Sequence, residues 1–171
     1  MFKVGIIGAT GYVGVELLRL LLNHDKITVT AISSSTFKDE EISSVYKSFF
    51  NKTTLVCKDK SDVIDKCDII FTALPHGLSE EIAAEAISKN KKVIDLGADF
   101  RLECEDSYEE WYGKKFTCKD IHKNSIYGLP EFNGSKAYLI SSSRDLISQI
   151  LQGAIIGISG AKFLTASSKR T

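Results

Sequence analysis

An excess of charge of either sign is missing from this chain: Lys plus Arg and Asp plus Glu both number 22 among its 171 residues. A surface without net charge has no general electrostatic hold on nucleic acid or anionic lipid, and no basic stripe with interleaved aromatics restores one. Also absent are an apolar run long enough to cross a membrane and the opening of a secretory signal, so the expected location is the cytoplasm. Internal repeats and low-complexity tracts are lacking too. Four cysteines, Cys57, Cys67, Cys104 and Cys118, stand too irregularly for a CxxC pair. No metal site is therefore expected, and a reducing compartment leaves them as thiols. Cys57 and Cys67 lie in or beside apolar segments, where thiols are buried and inert. Cys104 sits in the acidic stretch ECED, which is expected to raise its pKa and discourage thiolate chemistry.

What is present fits a globular chain: 43% of residues are apolar and 26% charged, enough to bury a core and keep a polar surface. Strand-like runs recur at Lys3 to Gly8, Ile27 to Ser33, Thr54 to Cys57, Asp68 to Leu74, Lys92 to Leu96 and Ala137 to Ser141. Helical patterns over 12–23, 39–49, 61–66 and Ser79 to Asn90 separate most of them. Strands alternating with helices predict an α/β fold, a doubly wound parallel sheet of Rossmann type, because parallel neighbours need crossover connections. From Gly97 to Phe132 the alternation lapses into a stretch rich in Tyr, Phe, Trp and charge, too long for a simple loop and expected to pack over the sheet as an extension.

The strongest local signal is the opening, KVGIIGATGYVG followed by VELLRLLLN. Gly8 lets the chain leave the strand sharply, Gly11 removes a Cβ where a pyrophosphate approaches, and Gly14 lets the helix pack close to the strand. The N–H groups of the helix's first turn then face the phosphates. Candidate cofactor contacts in this stretch are Gly8, Thr10, Gly11, Tyr12, Val13 and Gly14. At the end of the second strand, where an NAD enzyme presents a carboxylate, stand Ser33, Ser34, Ser35 and Thr36, with Lys38 beyond them. Hydroxyls can receive a 2′-phosphate that a carboxylate repels, which favours NADP; the alternative is an ordinary serine-rich loop.

Two further segments follow strands at the same edge. ALPHG brings Leu74, Pro75, His76 and Gly77 there, ahead of a helix that Ser79 is expected to cap with Glu80 and Glu81 in its first turn. His76 is a donor facing the cofactor or a turn residue. GADFRL brings Asp99 and Arg101, and Arg101 either clamps an anionic substrate or pairs with Asp99.

Taken in order, GATGYVG, ALPHG, GADFRL, WYG at Trp111 to Gly113 and YGLPE at Tyr127 to Glu131 resemble the amino-terminal part of the N-acetyl-gamma-glutamyl-phosphate reductase family over residues 1 to about 140. Aspartate-semialdehyde dehydrogenases share the opening motif but not the later combination. The resemblance implies an NADPH-dependent oxidoreductase of arginine biosynthesis that turns an acyl phosphate into an aldehyde. In that family a cysteine forms a thioester, hydride reduces it, and a histidine of a second domain assists proton transfer. The resemblance also implies a small-molecule substrate and a homo-oligomer.

One motif of the family does not match. Its cysteine lies in a segment close to NPGCYPT after YGLPE and a strand, whereas AYLI is followed here by SSSRDLISQ, and Asp145 stands where the cysteine is expected. A carboxylate cannot stand in for a thiolate in thioester chemistry, so no catalytic residue is assigned. Residues 1–140 are read as the NADP-binding domain and 141–171 as a divergent tail, truncated before the second domain by a shifted reading frame or by an unrelated ending. A free-standing NAD(P)-binding module and an aspartate-semialdehyde-dehydrogenase-like protein are the alternatives.

Overall fold

The computed structural model describes residues 1–128 and 161–164. Seven strands form one sheet: β1 (Phe2–Ile7), β2 (Ile27–Ser33), β3 (Cys57–Lys58), β4 (Ile69–Thr72), β5 (Lys92–Asp95), β6 (Ile126–Gly128) and β7 (Ala161–Leu164), in the spatial order β3-β2-β1-β4-β5-β7-β6. The first five positions are parallel, and β7 runs antiparallel to both β5 and β6. The doubly wound parallel sheet expected from the alternation is thus the fold observed.

Alternate side chains of each strand divide between two cores, as a pleated strand covered on both faces requires. Val4, Ile6, Ile69, Phe71 and Ile94 pack under α1 (Tyr12–Leu21) with Leu17, Leu18 and Leu21. Ile7, Ile70 and Val93 pack on the other face with Val63 and Ile64 of α3 (Lys60–Lys66) and Ile82, Ala83 and Ala86 of α4 (Ser79–Ser88). Gly5 lies on this second face, and α3 comes so close that a Cβ there would sit 2.3 Å from Val63 Cγ1 and 2.8 Å from Cys67 Sγ.

The stretch expected to be one helix over 39–49 is broken. It forms α2 (Ile42–Val45) and a single 3-10 turn at Lys47–Phe49, divided at Tyr46, whose backbone is extended at φ −127°. That break lets the Tyr46 hydroxyl donate to the carbonyl of Thr10 at 2.6 Å, across 36 residues of sequence.

The extension contributes α5 (Glu105–Tyr112) and α6 (Lys119–Asn124) before β6 joins the sheet. Its aromatic residues are expected from sequence to be partly exposed or covered by self-association. Trp111 is 76% exposed and Tyr112 half-buried, as expected, whereas Phe100 and Phe116 are buried within the chain, with Tyr108, around His122. Four residues of the stretch read as a separate tail, Ala161–Leu164, enter the sheet as β7. The expected strand Ala137 to Ser141 and the position of Asp145 lie outside the described residues.

Candidate functional site

From β1 the chain moves outward through β2 to β3, then returns to the other side of β1 as β4 and β5. The carboxyl ends of β1 and β4 therefore flank the point where strand order reverses, where open α/β sheets bind ligands. A cavity of about 680 Å³ opens there.

Its cradle is the turn from β1 into α1. Gly8 has φ +88°, a conformation that L side chains rarely adopt, and its N–H and that of Ala9 both donate to the carbonyl of Ser33, at 3.0 and 2.9 Å. These bonds fix the turn against the end of β2. Ser34, buried, adds a second tie: its Oγ lies 2.7 Å from Thr10 Oγ1 and accepts the N–H of Phe37 at 3.2 Å. Gly14 packs onto the turn so closely that a Cβ would fall 2.1 Å from the Gly8 carbonyl oxygen. Gly11, by contrast, is exposed and caps α1 with an extended backbone. The first N–H groups of α1 have no preceding carbonyl within the helix and carry its positive dipole end.

The cavity has a polar and an apolar end. Gly8, Thr10 and Gly11 share its wall with Ser33, Ser34, Ser35 and Thr36, and with Asp59 and Lys60, which the sequence reading did not single out. Lys38, read from sequence as the cation of this region, is instead bonded to Asp59 at 2.6 Å, and Lys60 is the one cationic residue among those lining the cavity. The opposite wall is the β4–α4 turn, with Leu74, Pro75, Gly77 and Leu78, backed by Ile82, and the exposed acid Glu81 of α4 lines the cavity beside it. Tyr12, Val13, Gly14 and His76 are not among the lining residues. Exposed His76 turns outward, its ring 5.4 Å from that of Tyr112.

Buried carboxylates organise the far side of that turn. Asp99, 0% exposed, accepts the N–H of Gly77 at 2.5 Å, the N–H of Ser79 at 2.8 Å and the hydroxyl of Tyr108 at 2.9 Å. It is therefore Asp99, not the Ser79 side chain, that caps α4; Ser79 is already the first helical residue and Leu78 holds the cap position. Asp99 is committed to these donors, and Arg101 stands exposed beside it. Glu80 likewise turns away from its own helix end and accepts the N–H and hydroxyl of Thr117 and the N–H of Cys118, each at 2.7 Å. Sequence placed Glu80 in a helix's first turn and Asp99 after β5 at the sheet edge, but their partners lie 20 to 38 residues away.

Asp95, at the end of β5, is buried, and burial pushes its carboxyl pKa up; the hydrogen bond that the Thr72 hydroxyl donates at 2.6 Å offsets part of this. A native-state pKa raised in this way makes the charged form a cost, so the site favours stability at low pH and loses it as pH rises through the folded pKa. Asp95→Asn can keep the Thr72 bond and carries no charge. It is expected to raise Tm at pH 7 by about 2–4 °C, the change that about 1 kcal/mol produces at this size, and the gain should shrink as pH falls through the raised folded pKa and be gone below about 4, the ordinary carboxylate value. Thermal unfolding at pH 7 and pH 3.5 checks this; a gain equal at both pH values argues against the charge as its cause.

The thiols lie away from the cavity. Cys57 and Cys67 are buried, and desolvation raises both, Cys67 to about 11. Cys104 departs from expectation: the Ser107 backbone N–H and hydroxyl and the Asp106 N–H at the start of α5 lower its pKa, outweighing the charge of Asp106. Among the described residues no cluster of His, Cys, Asp and Glu could hold a metal ion, and no helix is long and apolar enough to cross a membrane.

The family model for the semialdehyde dehydrogenase NAD-binding domain matches residues 3–140. The chain belongs to this family. Within it, the chain is similar to N-acetyl-gamma-glutamyl-phosphate reductases: 62% identical over 136 residues to that of Clostridium beijerinckii and 59% over 136 residues to that of Clostridium botulinum strain Eklund 17B. Each match covers 80% of this chain and 40% of the relative, so the chain spans well under half the length of these proteins. The reductase of Acinetobacter baylyi is 44% identical over 137 residues, 80% of this chain and 39% of that one. Among solved structures, aspartate semialdehyde dehydrogenase with NADP from Candida albicans superposes with a TM-score of 0.54 at 21% identity, over 61% of this chain and 32% of that chain. Aspartate semialdehyde dehydrogenase II from Vibrio cholerae gives 0.50 at 25% identity, over 59% and 29%. The semialdehyde dehydrogenase family fold and a dinucleotide-binding domain thus agree with the glycine cradle at the strand-order reversal.

Proposed function

We propose that the cavity binds NADP and that the chain is the cofactor-binding part of a cytoplasmic, homo-oligomeric N-acetyl-gamma-glutamyl-phosphate reductase of arginine biosynthesis, residues 1–140 forming that domain. The observation that carries the cofactor choice is the polar end of the cavity. Ser35 and Thr36 are exposed beside Lys60, and the acid there, Asp59, is bonded to Lys38. Hydroxyls and a cation favour a 2′-phosphate, whereas a carboxylate bonded to the ribose would repel it.

Bound NADPH would supply hydride to an acyl carbon. The chain's own part is to seat the pyrophosphate against Gly8, Thr10 and Gly11, to hold the 2′-phosphate at Ser35, Thr36 and Lys60, and to line the nicotinamide end with the apolar β4–α4 turn. Arg101, exposed at the carboxyl edge, is available to an anionic substrate. With Asp145 in the position of the family's cysteine and no thiol lining the cavity, the chain binds cofactor without supplying the nucleophile. The same observation favours a second reading, a dinucleotide-binding module without turnover.

Ser34 is a poor position for testing the cofactor choice, because its hydroxyl ties Thr10 to the Phe37 N–H. Ser35 is exposed and lines the cavity. The parent chain should bind NADP+ at least about tenfold more tightly than NAD+, and Ser35→Asp should reverse that order. Calorimetric titration with each dinucleotide measures both; equal affinities in the parent would remove the basis for NADP.

A further inference from the structure

The six-residue turn between β4 and α4, Ala73 to Leu78, forms one wall of the cavity, yet much of its anchoring comes from outside its own strand and helix. Ala73 donates to the Ile7 carbonyl at 2.9 Å, which fixes only its start. At its other end the N–H groups of Gly77 and Ser79 both donate to the carboxylate of Asp99, 20 to 22 residues away. Gly77 has φ +81°, and Lys114 of the extension fills the space where a Cβ would be. Asp99 is in turn bonded to the hydroxyl of Tyr108 on α5, whose ring packs against Tyr112 at 5.0 Å and Phe116 at 5.2 Å. Asp99 thus links the aromatic residues of the extension to the cavity wall by hydrogen bonds, beside the packing of Lys114 on Gly77 and of Tyr112 on His76.

We propose that Asp99 is a positioning residue for cofactor binding: its carboxylate, itself out of reach of the cavity, sets the Gly77–Leu78 wall and couples that wall to α5 through Tyr108. The proposal rests on the reading of the cavity as a dinucleotide site. Two backbone N–H groups on one ionised acceptor form a charge-assisted pair that asparagine cannot reproduce, since it has one acceptor atom and directs an NH2 at the other donor. Gly77 and Leu78 then lose their fixed place in the wall. Ser79 N–H also loses its cap, so some loss of stability accompanies the change. Loss of stability alone, however, leaves the affinity of the folded molecules intact.

The test compares the parent 171-residue chain, Asp99→Asn and Tyr108→Phe by NADP+ calorimetry, thermal unfolding and amide hydrogen exchange without ligand. Asp99→Asn is expected to unfold cooperatively, to lose protection at Gly77 and Ser79, and to bind NADP+ about tenfold or more weakly. Tyr108→Phe keeps both amide acceptors but frees the oxygen that Gly77 shares with the phenol. It should alter exchange at Gly77 more than at Ser79 and weaken binding by a smaller factor. Asp99→Asn that is less stable yet binds NADP+ like the parent overturns the proposal, since that is the signature of a merely structural role. Should Asp99→Asn not fold, Tyr108→Phe decides, and parental affinity with parental exchange at Gly77 counts against it. A parent that binds neither NADP+ nor NAD+ overturns the cofactor reading instead. Amide exchange then judges Asp99, and unchanged protection at Gly77 and Ser79 in Asp99→Asn overturns its hold on the turn.

Discussion

Gly11→Val should leave the protein folded and abolish its dinucleotide binding, while Gly14→Ala, a smaller change three residues on, should unfold or severely destabilise it. A Cβ on Gly11 meets nothing nearer than the Gly8 carbonyl oxygen at 3.5 Å, and the φ of −74° and ψ of 163° suit any residue. Valine is a poor N-cap, which costs about 1 kcal/mol, and the fold tolerates that. Its branched side chain, however, stands at the mouth of the cradle where a pyrophosphate must reach the backbone N–H groups. Loss of affinity by about a hundredfold or more is expected. At Gly14 the balance is reversed. Alanine is favoured in a helix by about 1 kcal/mol over glycine, but its Cβ would lie 2.1 Å from one backbone carbonyl oxygen and 2.8 Å from the Cα of Ala9. Neither atom can swing aside as a side chain can, so the clash outweighs the propensity by several kcal/mol, roughly the cost of gross overpacking. Thermal unfolding and NADP+ titration of both variants separate the two roles. Gly11→Val that binds as the parent does would remove the cradle from the proposed function.

That contrast also marks what a sequence can and cannot disclose. The strands were legible because covering both faces of a sheet makes nearly every position apolar, as in IIFT of β4, where all four residues are buried. GATGYVG was legible because a strand, a tight turn and a helix start adjoin in the chain. Gly5 was not, since its reason is α3, whose Val63 and Cys67 crowd it from 58 and 62 positions away. Lys60 escaped notice for a similar cause: Lys38 is nearer the serine loop in sequence, and only folding shows that Asp59 takes it up. Asp99 follows β5 at the carboxyl edge and Glu80 starts a helix, as read from sequence, yet the amides of Asp99 come from the β4–α4 turn and those of Glu80 from the extension. Buried carboxylates acting as remote caps leave no periodic trace. The sign of the Cys104 shift failed likewise, because ECED shows its charges but not the N–H groups that the first turn of α5 directs at the sulfur.

Alkylation with iodoacetamide at pH 8 should modify Cys104 first and leave NADP+ affinity unchanged, with Cys57 and Cys67 reacting only on unfolding. The thiolate is the reactive form, and Cys67, raised to about 11 from an ordinary 9.0, holds roughly a hundredfold less of it than an unperturbed thiol, besides being buried. Cys57 is raised for the same reason. Cys118, half-buried, directs its thiol toward the carbonyl of Glu80 at 3.8 Å, which leaves exposed Cys104, with its pKa lowered, as the fastest site. Reactivity is not catalysis, however. Capture of an acyl group from an acyl phosphate needs the thiolate aligned with the reacting carbon beside the nicotinamide, and none of the four thiols lines the cavity. Consumption of NADPH by this chain with N-acetyl-gamma-glutamyl phosphate should therefore stay at background before and after labelling. Mass spectrometry of the labelled peptides, with calorimetry and an absorbance assay on the same samples, checks all three expectations. Phosphate-dependent turnover that disappears on labelling one cysteine, and that NADP+ protects, would identify a nucleophile at that position and restore catalysis to the chain.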